Sequence, residues 1–529
     1  MLELKKETTN YIGKYLWRVM IFLGASLIYF ITRSQVISGS HDAITLLSNI
    51  QNGDNLFHVH HVFFNSSAWL LHQTIKLFYT EMSAKTVIQL LNAIGGGILV
   101  TTIAIWIETH TPLKKWKVLP AIALPAFSFG IWFHSHTIEV YIIPIAILMV
   151  IITLIGRKPL SIRDWILIAI LHWVAIGFHI TNALLTVTLG IILWRRLKIF
   201  MIVTGITYTL TGLLYIGILW GYYHCRTLPE AIFTITEITN NQRYWNSPLQ
   251  LTTYIKLIFS LGRTFIGGHF MLHPTLSPWA LHFLKGHWIE NEIYLVRLLN
   301  PKTVITLAIA SIGWVTIFIG HLIFSIKKEW GQKISDPLFT LICWLIPYTL
   351  FFILWDTENI EFWLIQSLAI QLTLIYLITK QSKGAWKTLT ALSLSLIAIN
   401  SAGSILPMSN SNNDLYAVEA GRFIEKASLG DIILLDQNWQ LSKYIGLKSK
   451  VTVLSLEDMY RKANQNQNDY RLAIQRLLMT QHKSGHKIII LQKTLNGNPI
   501  LNQRYHSEFS TFGPYLDQFP EAKNTIIVI

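Results

Sequence analysis

Apolar runs of roughly 20 residues recur along this chain, with the charged side chains gathered in short stretches between them. A run of that length is what a helix needs to cross about 30 Å of hydrocarbon. The pattern predicts about eleven spans: Tyr15–Ile31, Val87–Ile107, Val118–Trp132, Glu139–Ile155, Trp165–Gly177, Ile180–Leu193, Phe200–Tyr222, Val304–Ile326, Pro337–Leu354, Phe362–Ile378 and Leu389–Leu406. Two further stretches have an apolar face but too many polar residues to cross. Phe63–Phe78 is cut by Asn65, Ser66, Ser67, His72 and Lys76, which predicts an interfacial helix, and Leu251–Ile266 is amphipathic.

From Ser409 the pattern changes. Ser409-Asn410-Ser411-Asn412-Asn413 forms a polar linker, and short β-rich runs follow at Asp431–Leu435, Val451–Leu456, Lys487–Leu491 and Thr525–Ile529. Helical patterns lie between them (Leu415–Ala427, Tyr470–Gln481), an alternation that predicts a small α/β domain with a largely parallel sheet. The expected architecture is therefore a polytopic α-helical membrane module over residues 1–408 and a soluble domain over 409–529.

Composition agrees with this division. Hydrophobic residues make up 52% of the chain and charged ones 13%, with a formal net charge of +15. That excess does not point to nucleic acid, because the basic residues alternate along the chain as membrane topology requires. Lys114, Lys115 and Lys117 form one group, Arg157, Lys158 and Arg163 the next, then Arg195, Arg196 and Lys198, Lys327, Lys328 and Lys333, and Lys380, Lys383 and Lys387. The intervening turns carry almost none. Positive loops stay inside, so the N-terminus, with Lys5, Lys6, Lys14 and Arg18, is expected in the cytoplasm and residues 409–529 outside the plasma or inner membrane. The first apolar run is long for a signal peptide and lacks a clear cleavage site, which predicts a retained anchor. Cys225 and Cys343 are too few for a disulfide framework.

This topology brings three outer elements together: the loop with Asp42, the turn ending at Glu139, and the turn from Trp355 to Glu361. Acids beside apolar runs are costly and usually have a partner or a task. Glu139 follows Trp132 at a spacing of seven, which would set both on one helix face. His58-Val59-His60-His61 contains good metal ligands, but no Cys or carboxylate pattern completes a site. A divalent metal is thus not indicated, and His60 and His61 are expected to meet phosphate or headgroups. A secondary transporter would instead keep ionisable groups at mid-span and show repeated halves. Only His172 and His321 approach that description, and neither has an evident carboxylate partner.

The order of several motifs resembles a known class. Asp42 in the first outer loop precedes His60-His61 and an amphipathic helix, then Leu91-Asn92-Ala93. Next come Phe127-Ser128-Phe129-Gly130-Ile131-Trp132, Glu139-Val140-Tyr141 and Gly177-Phe178-His179-Ile180-Thr181. That arrangement resembles the GT-C membrane glycosyltransferases, most nearly the transmembrane protein O-mannosyltransferase subgroup and its bacterial relatives. Two stretches depart from that subgroup, Val62-Phe63-Phe64-Asn65 after His61 and Ala43-Ile44-Thr45 after Asp42. The resemblance implies transfer of a sugar from a polyprenyl-phosphate carrier to an acceptor on the outer side. Asp42 would then act as general base, and Arg263 and Arg243, with His60 and His61, would meet the donor phosphate. Glu139, His179 and Glu361 would order the loops or line the cavity. An O-antigen polymerase or ligase, which depends on arginines in large outer loops, is the alternative glycosyl-transfer reading.

Overall fold

The structure is a computed structural model that describes residues 2–529 apart from 38, 41, 158, 237–244, 279–289, 438–439, 500–501 and 503–506. The chain divides into two compact units. The first takes Met1–Ser34, Asn49–Thr275 and Leu298–Ser409, and the second Gln35–Ser48, Leu276–Arg297 and Asn410–Ile529. Neither unit is a single piece of sequence, so a cut after residue 408 separates only part of the second.

The first unit is helical. Its elements are α1 (Leu2–Ile31), the last residues of α2 (Ala43–Asn52, which belongs to the second unit through Ser48), α3 (Val62–Lys76), α4 (Ala84–His110), α5 (Val118–Ala126), α6 (Phe129–His136), α7 (Ile142–Ile155) and α8 (Ile162–Phe178). There follow α9 (Leu185–Ile192), α10 (Leu197–Ile216), α11 (Leu228–Thr236), α12 (Leu251–Phe265), α13 (Pro301–Glu329), α14 (Asp336–Leu354), α15 (Leu364–Gln381) and α16 (Ala385–Asn400). Among the described residues, 6 helices are long and apolar enough to cross a membrane, or up to 7 if one bent pair is a single span. The chain is an integral membrane protein. The remaining expected spans fall on shorter helices, at Tyr15–Ile31 within α1, α7, α8 and Ile180–Ile192.

One expected span is corrected. Val118–Trp132 is not a straight crossing: α5 and α6 meet at 79°. Pro125 has no N–H to continue the helix, and Ser128 is extended with its hydroxyl turned onto the Pro125 carbonyl at 2.7 Å. A carbonyl freed in an apolar interior must find another donor. Asn400 Nδ2 supplies it, reaching the Phe127 carbonyl at 2.9 Å.

The core centres on α4, which packs against α1, α5, α6 and α7. Gly95-Gly96-Gly97 makes this close approach feasible. A Cβ on Gly96 would stand 2.5 Å from Ser135 Oγ and 2.8 Å from the Tyr29 ring. Small residues are the usual means of bringing membrane helices together.

The second unit holds a four-stranded sheet of order β2-β1-β3-β4, from β1 (Ile432–Leu435), β2 (Thr452–Ser455), β3 (Ile488–Ile490) and β4 (Ile526–Val528). All three pairings are parallel, as the β-rich runs with intervening helices lead one to expect. β1 and β3 read Ile-Ile-Leu-Leu and Ile-Ile-Ile and are buried throughout, the composition of strands covered on both faces. Alternate residues serve two cores. Leu434, Ile488 and Ile490 pack with Tyr470, Ile474 and Phe509, while Ile433 and Ile489 pack with Phe423 and Ile445.

Candidate functional site

The site in the first unit begins with a helix that stops. α6 ends at His136, and Thr137 to Tyr141 form a turn before α7 starts at Ile142. Two amides on α4 hold that turn. Asn92, fully buried, donates Nδ2 to the carbonyls of Thr137 (2.9 Å) and Glu139 (2.7 Å). Gln89, one turn earlier, donates Nε2 to Ser34 (2.7 Å) and His136 (3.3 Å). Glu139 therefore does not share a helix face with Trp132, as its spacing suggests, because the helix ends between them. Its side chain is buried, with the Val140 N–H 3.4 Å from Oε2, and Trp132 donates instead to Thr32 Oγ1 at 2.9 Å.

Tyr141, last residue of the turn, reaches across the unit. Its hydroxyl meets Glu361 Oε1 at 2.6 Å, and Asn359 Nδ2 donates to the same oxygen at 2.7 Å. Glu361 stands on a short 3-10 turn, Ile360–Trp363, that follows a bend with Asp356 in the left-handed region at φ 41°. Trp363 Nε1 closes that bend by donating to the Thr357 carbonyl at 3.1 Å. Tyr141, His179, Thr181, Asn182, Phe352 and Glu361 line a cavity of about 20 Å³, room for about one water molecule. A carboxylate, hydroxyls, an imidazole and aromatic rings thus face one small space.

His179 joins this cavity to the histidine run. The His58 and His61 rings stack at 4.1 Å, His60 lies 5.5 Å from His58, and His179 lies 4.9 Å from Tyr141. The Ile180 N–H donates to the His60 carbonyl at 2.9 Å, fixing the two loops to each other. Burial lowers the pKa of all four imidazoles from 6.5, to about 4 for His58 and about 3 for His179, and neighbouring imidazoles lower those of His58, His61 and His179 further. At neutral pH they are uncharged, so each ring offers one N–H donor and one acceptor nitrogen. Among the described residues no three His, Cys, Asp or Glu side chains are placed to hold a metal ion.

Of the residues singled out from sequence, His60, His61, His179 and Glu361 come together here, with Glu139 in the adjoining turn. Asp42 belongs to the second unit, where it is exposed at the start of α2, accepts the Leu46 N–H at 2.9 Å through its carbonyl, and acts electrostatically on Lys443. Arg263, in the last turn of α12, donates Nε to the Gly267 carbonyl at 3.2 Å. Arg243 lies outside the described residues. Sequence reasoning missed Tyr141 and Asn359 as the partners of Glu361. Asn359 is signalled by its nearness in sequence, but nothing in the chain pairs positions 141 and 361.

No family model matches the chain, and no curated protein matches it. Among solved structures it is similar to ArnT from Cupriavidus metallidurans bound to undecaprenyl phosphate, at 11% identity and a TM-score of 0.46, covering 82% of this chain and 85% of that one. It is also similar to the archaeal oligosaccharyltransferase AglB from Archaeoglobus fulgidus in complex with an inhibitory peptide and a dolichol-phosphate, at 10% identity and a TM-score of 0.44, covering 84% of this chain and 64% of that one. Likeness at these scores carries no inference about chemistry, which must come from the site.

Proposed function

We propose that this protein is a GT-C-type membrane glycosyltransferase that moves a sugar from a polyprenyl-phosphate carrier to an acceptor hydroxyl on the extracytoplasmic side. The observation that carries this reading is the Tyr141–Glu361–Asn359 constellation, open to a small aromatic-lined cavity and bordered by uncharged histidines. The motif order from Asp42 to Thr181 agrees with it. Carboxylates and amides bind sugar hydroxyls through paired hydrogen bonds, and aromatic faces take the apolar side of the ring.

In the transfer, the acceptor oxygen attacks the anomeric carbon, the bond to the carrier phosphate breaks, and the acceptor proton passes to a carboxylate. General-base help of this kind is worth roughly 10²- to 10⁴-fold. Asp42 is the proposed base from its place in the chain, and Glu361 is a second candidate, a carboxylate that lines the cavity of the first unit. The departing phosphate gathers charge, which N–H donors from His60 and His61 and the cations Arg263 and Arg243 would meet. Glu139 and His179 would hold the loops around it. The acceptor class is set by whatever the outer face admits.

Assay of the purified protein with a polyprenyl-phosphate sugar tests this. Product should form in the wild type and fall at least a hundredfold in one of Asp42→Asn and Glu361→Gln, which identifies the base. Absence of transfer with any polyprenyl-phosphate sugar, against robust substrate transport in vesicles, would replace the reading with a transporter. Reporter fusions test the topology: an N-terminus inside and residues 409–529 outside are expected, and a cytoplasmic 409–529 would remove the outer-face assignment.

A further inference from the structure

A groove in the first unit lies away from the site just described. It has a volume of about 630 Å³ and is lined by Val187, Gly190, Ile191, Trp194, Phe200 and Phe339, with Thr186 at one end. α9 supplies one wall, α10 another and α14 the third. Val187, Ile191 and Trp194 are exposed, and from Thr186 to Trp194 the floor extends about 12 Å at the helical rise. Gly190 deepens it, since no side chain fills the space beside the Phe200 ring.

Charge distinguishes one end. Immediately after Trp194 come Arg195, Arg196 and Lys198, all exposed, and the Arg195 guanidinium lies over the Trp194 ring, 4.5 Å from its centroid. Asp336, one turn before Phe339 on α14, is the acid nearest in sequence to the lining of that end. The segments that form that end therefore bring three cations and one carboxylate, with Arg195 stacked on the lining residue Trp194, while the groove itself is lined by apolar side chains. The geometry points to a resident anionic phospholipid, one acyl chain along Gly190 and Phe200 and its phosphate at Arg195, Arg196 and Lys198. Basic pockets between membrane helices recognise anionic headgroups in this way. The occupant is a structural bilayer lipid and not the sugar donor, because the cavity with Glu361 and His179 shares no lining residue with this groove.

Native mass spectrometry of the full-length protein in detergent, titrated with phosphatidylglycerol, phosphatidylethanolamine or undecaprenyl phosphate, tests the assignment. Phosphatidylglycerol should be retained in preference to phosphatidylethanolamine. A variant with Arg195→Gln, Arg196→Gln and Lys198→Gln should weaken it by roughly fivefold per charge, about a hundredfold together. Gly190→Phe should abolish retention by filling the groove; its Cβ meets only the Phe200 ring at 3.6 Å, ordinary contact, so the fold should hold, as a melting curve would verify. Equal retention of the two phospholipids, or phosphatidylglycerol retention unchanged in either variant, overturns the proposal. Displacement of phosphatidylglycerol by an equimolar amount of undecaprenyl phosphate also overturns it and assigns the groove to the carrier.

Discussion

Replacing Tyr141 by Phe removes one hydroxyl and little else, so its effect measures the contact with Glu361 directly. An oxygen–oxygen separation of 2.6 Å is in the range of a hydrogen bond to an ionised carboxylate. Such bonds contribute about 1.5–3 kcal/mol net, a factor of roughly 10 to 150 if the stabilised carboxylate geometry is the one used in turnover. Asn359 still holds the same oxygen in the variant, which places the expected loss near the lower end, about tenfold. Glu361→Gln should lose more, because a neutral amide oxygen replaces the charged acceptor of both the Tyr141 and the Asn359 hydrogen bonds. The informative measurement is the double variant, assayed for sugar transfer in proteoliposomes beside a melting curve. If Tyr141 acts through Glu361, then Tyr141→Phe should cost little further once Glu361 is Gln, leaving a coupling of about 1–3 kcal/mol. Losses that simply multiply, or a Tyr141→Phe variant within twofold of wild type, would refute the argument that this contact positions a working carboxylate.

Three other outcomes follow from the same structure. With Asp42 as the base, Asp42→Asn abolishes transfer with the fold intact and leaves Glu361→Gln the milder variant, while Asp54→Asn, exposed beside the left-handed pair Gly53 and Asn55, keeps its turnover; loss only in Asp54→Asn moves the base to Asp54, and loss only in Glu361→Gln moves it to Glu361. Asn92→Ala strands the carbonyls of Thr137 and Glu139, and should destabilise the protein by about 1–3 kcal/mol for each, read as a lower denaturation midpoint. The histidines give a pH dependence of definite sign. Their folded pKa values lie below 6.5, so between 6.5 and about 4 for His58 the unfolded chain binds protons that the folded chain refuses. Stability from this source is complete above pH 6.5 and should fall as the pH drops through that window, and the fall should shrink in His58→Gln. A flat stability profile from pH 7 to 4 would contradict their burial as uncharged rings.

The helices were legible because hydrocarbon imposes a length and excludes charge, two constraints that act locally and leave a mark on every span. The parallel sheet was legible for a similar reason: Ile432–Leu435 and Ile488–Ile490 are apolar without alternation, which only a strand covered on both faces sustains. The site was legible only in part. His60 and His61 stood out by adjacency, and His179 and Glu139 by their motifs, but the contact that organises the site joins residues 220 apart in sequence. Local pattern carries no information about such a pairing. Glu139 and Trp132 part for a related reason. A spacing of seven sets two residues on one face only of an unbroken helix, whereas α6 ends at His136, where buried amides take up the freed carbonyls.

Those amides explain how irregular backbone survives in a buried setting. Asn92 serves Thr137 and Glu139, Gln89 serves Ser34 and His136, Asn182 serves Ala175 and His179, and Asn400 serves Phe127 and Phe265. In each case one carboxamide, with its two N–H bonds, satisfies two carbonyls where a helix stops or turns. Serine and threonine hydroxyls, with a single donor, could serve only one carbonyl each. A carboxylate would set acceptor against acceptor. Buried away from bulk solvent, a pair of stranded carbonyls would cost enough to reclose the helix or to open the segment. The turn that carries Tyr141 and the turn that carries His179 both depend on this device, Asn92 holding the first and Asn182 the second. The side chains that meet at the cavity are therefore placed by residues that do not themselves touch it in one case, and by one that lines it in the other. Substitutions at these amides should disturb the site through the backbone, which separates them in kind from changes at Glu361 or His179.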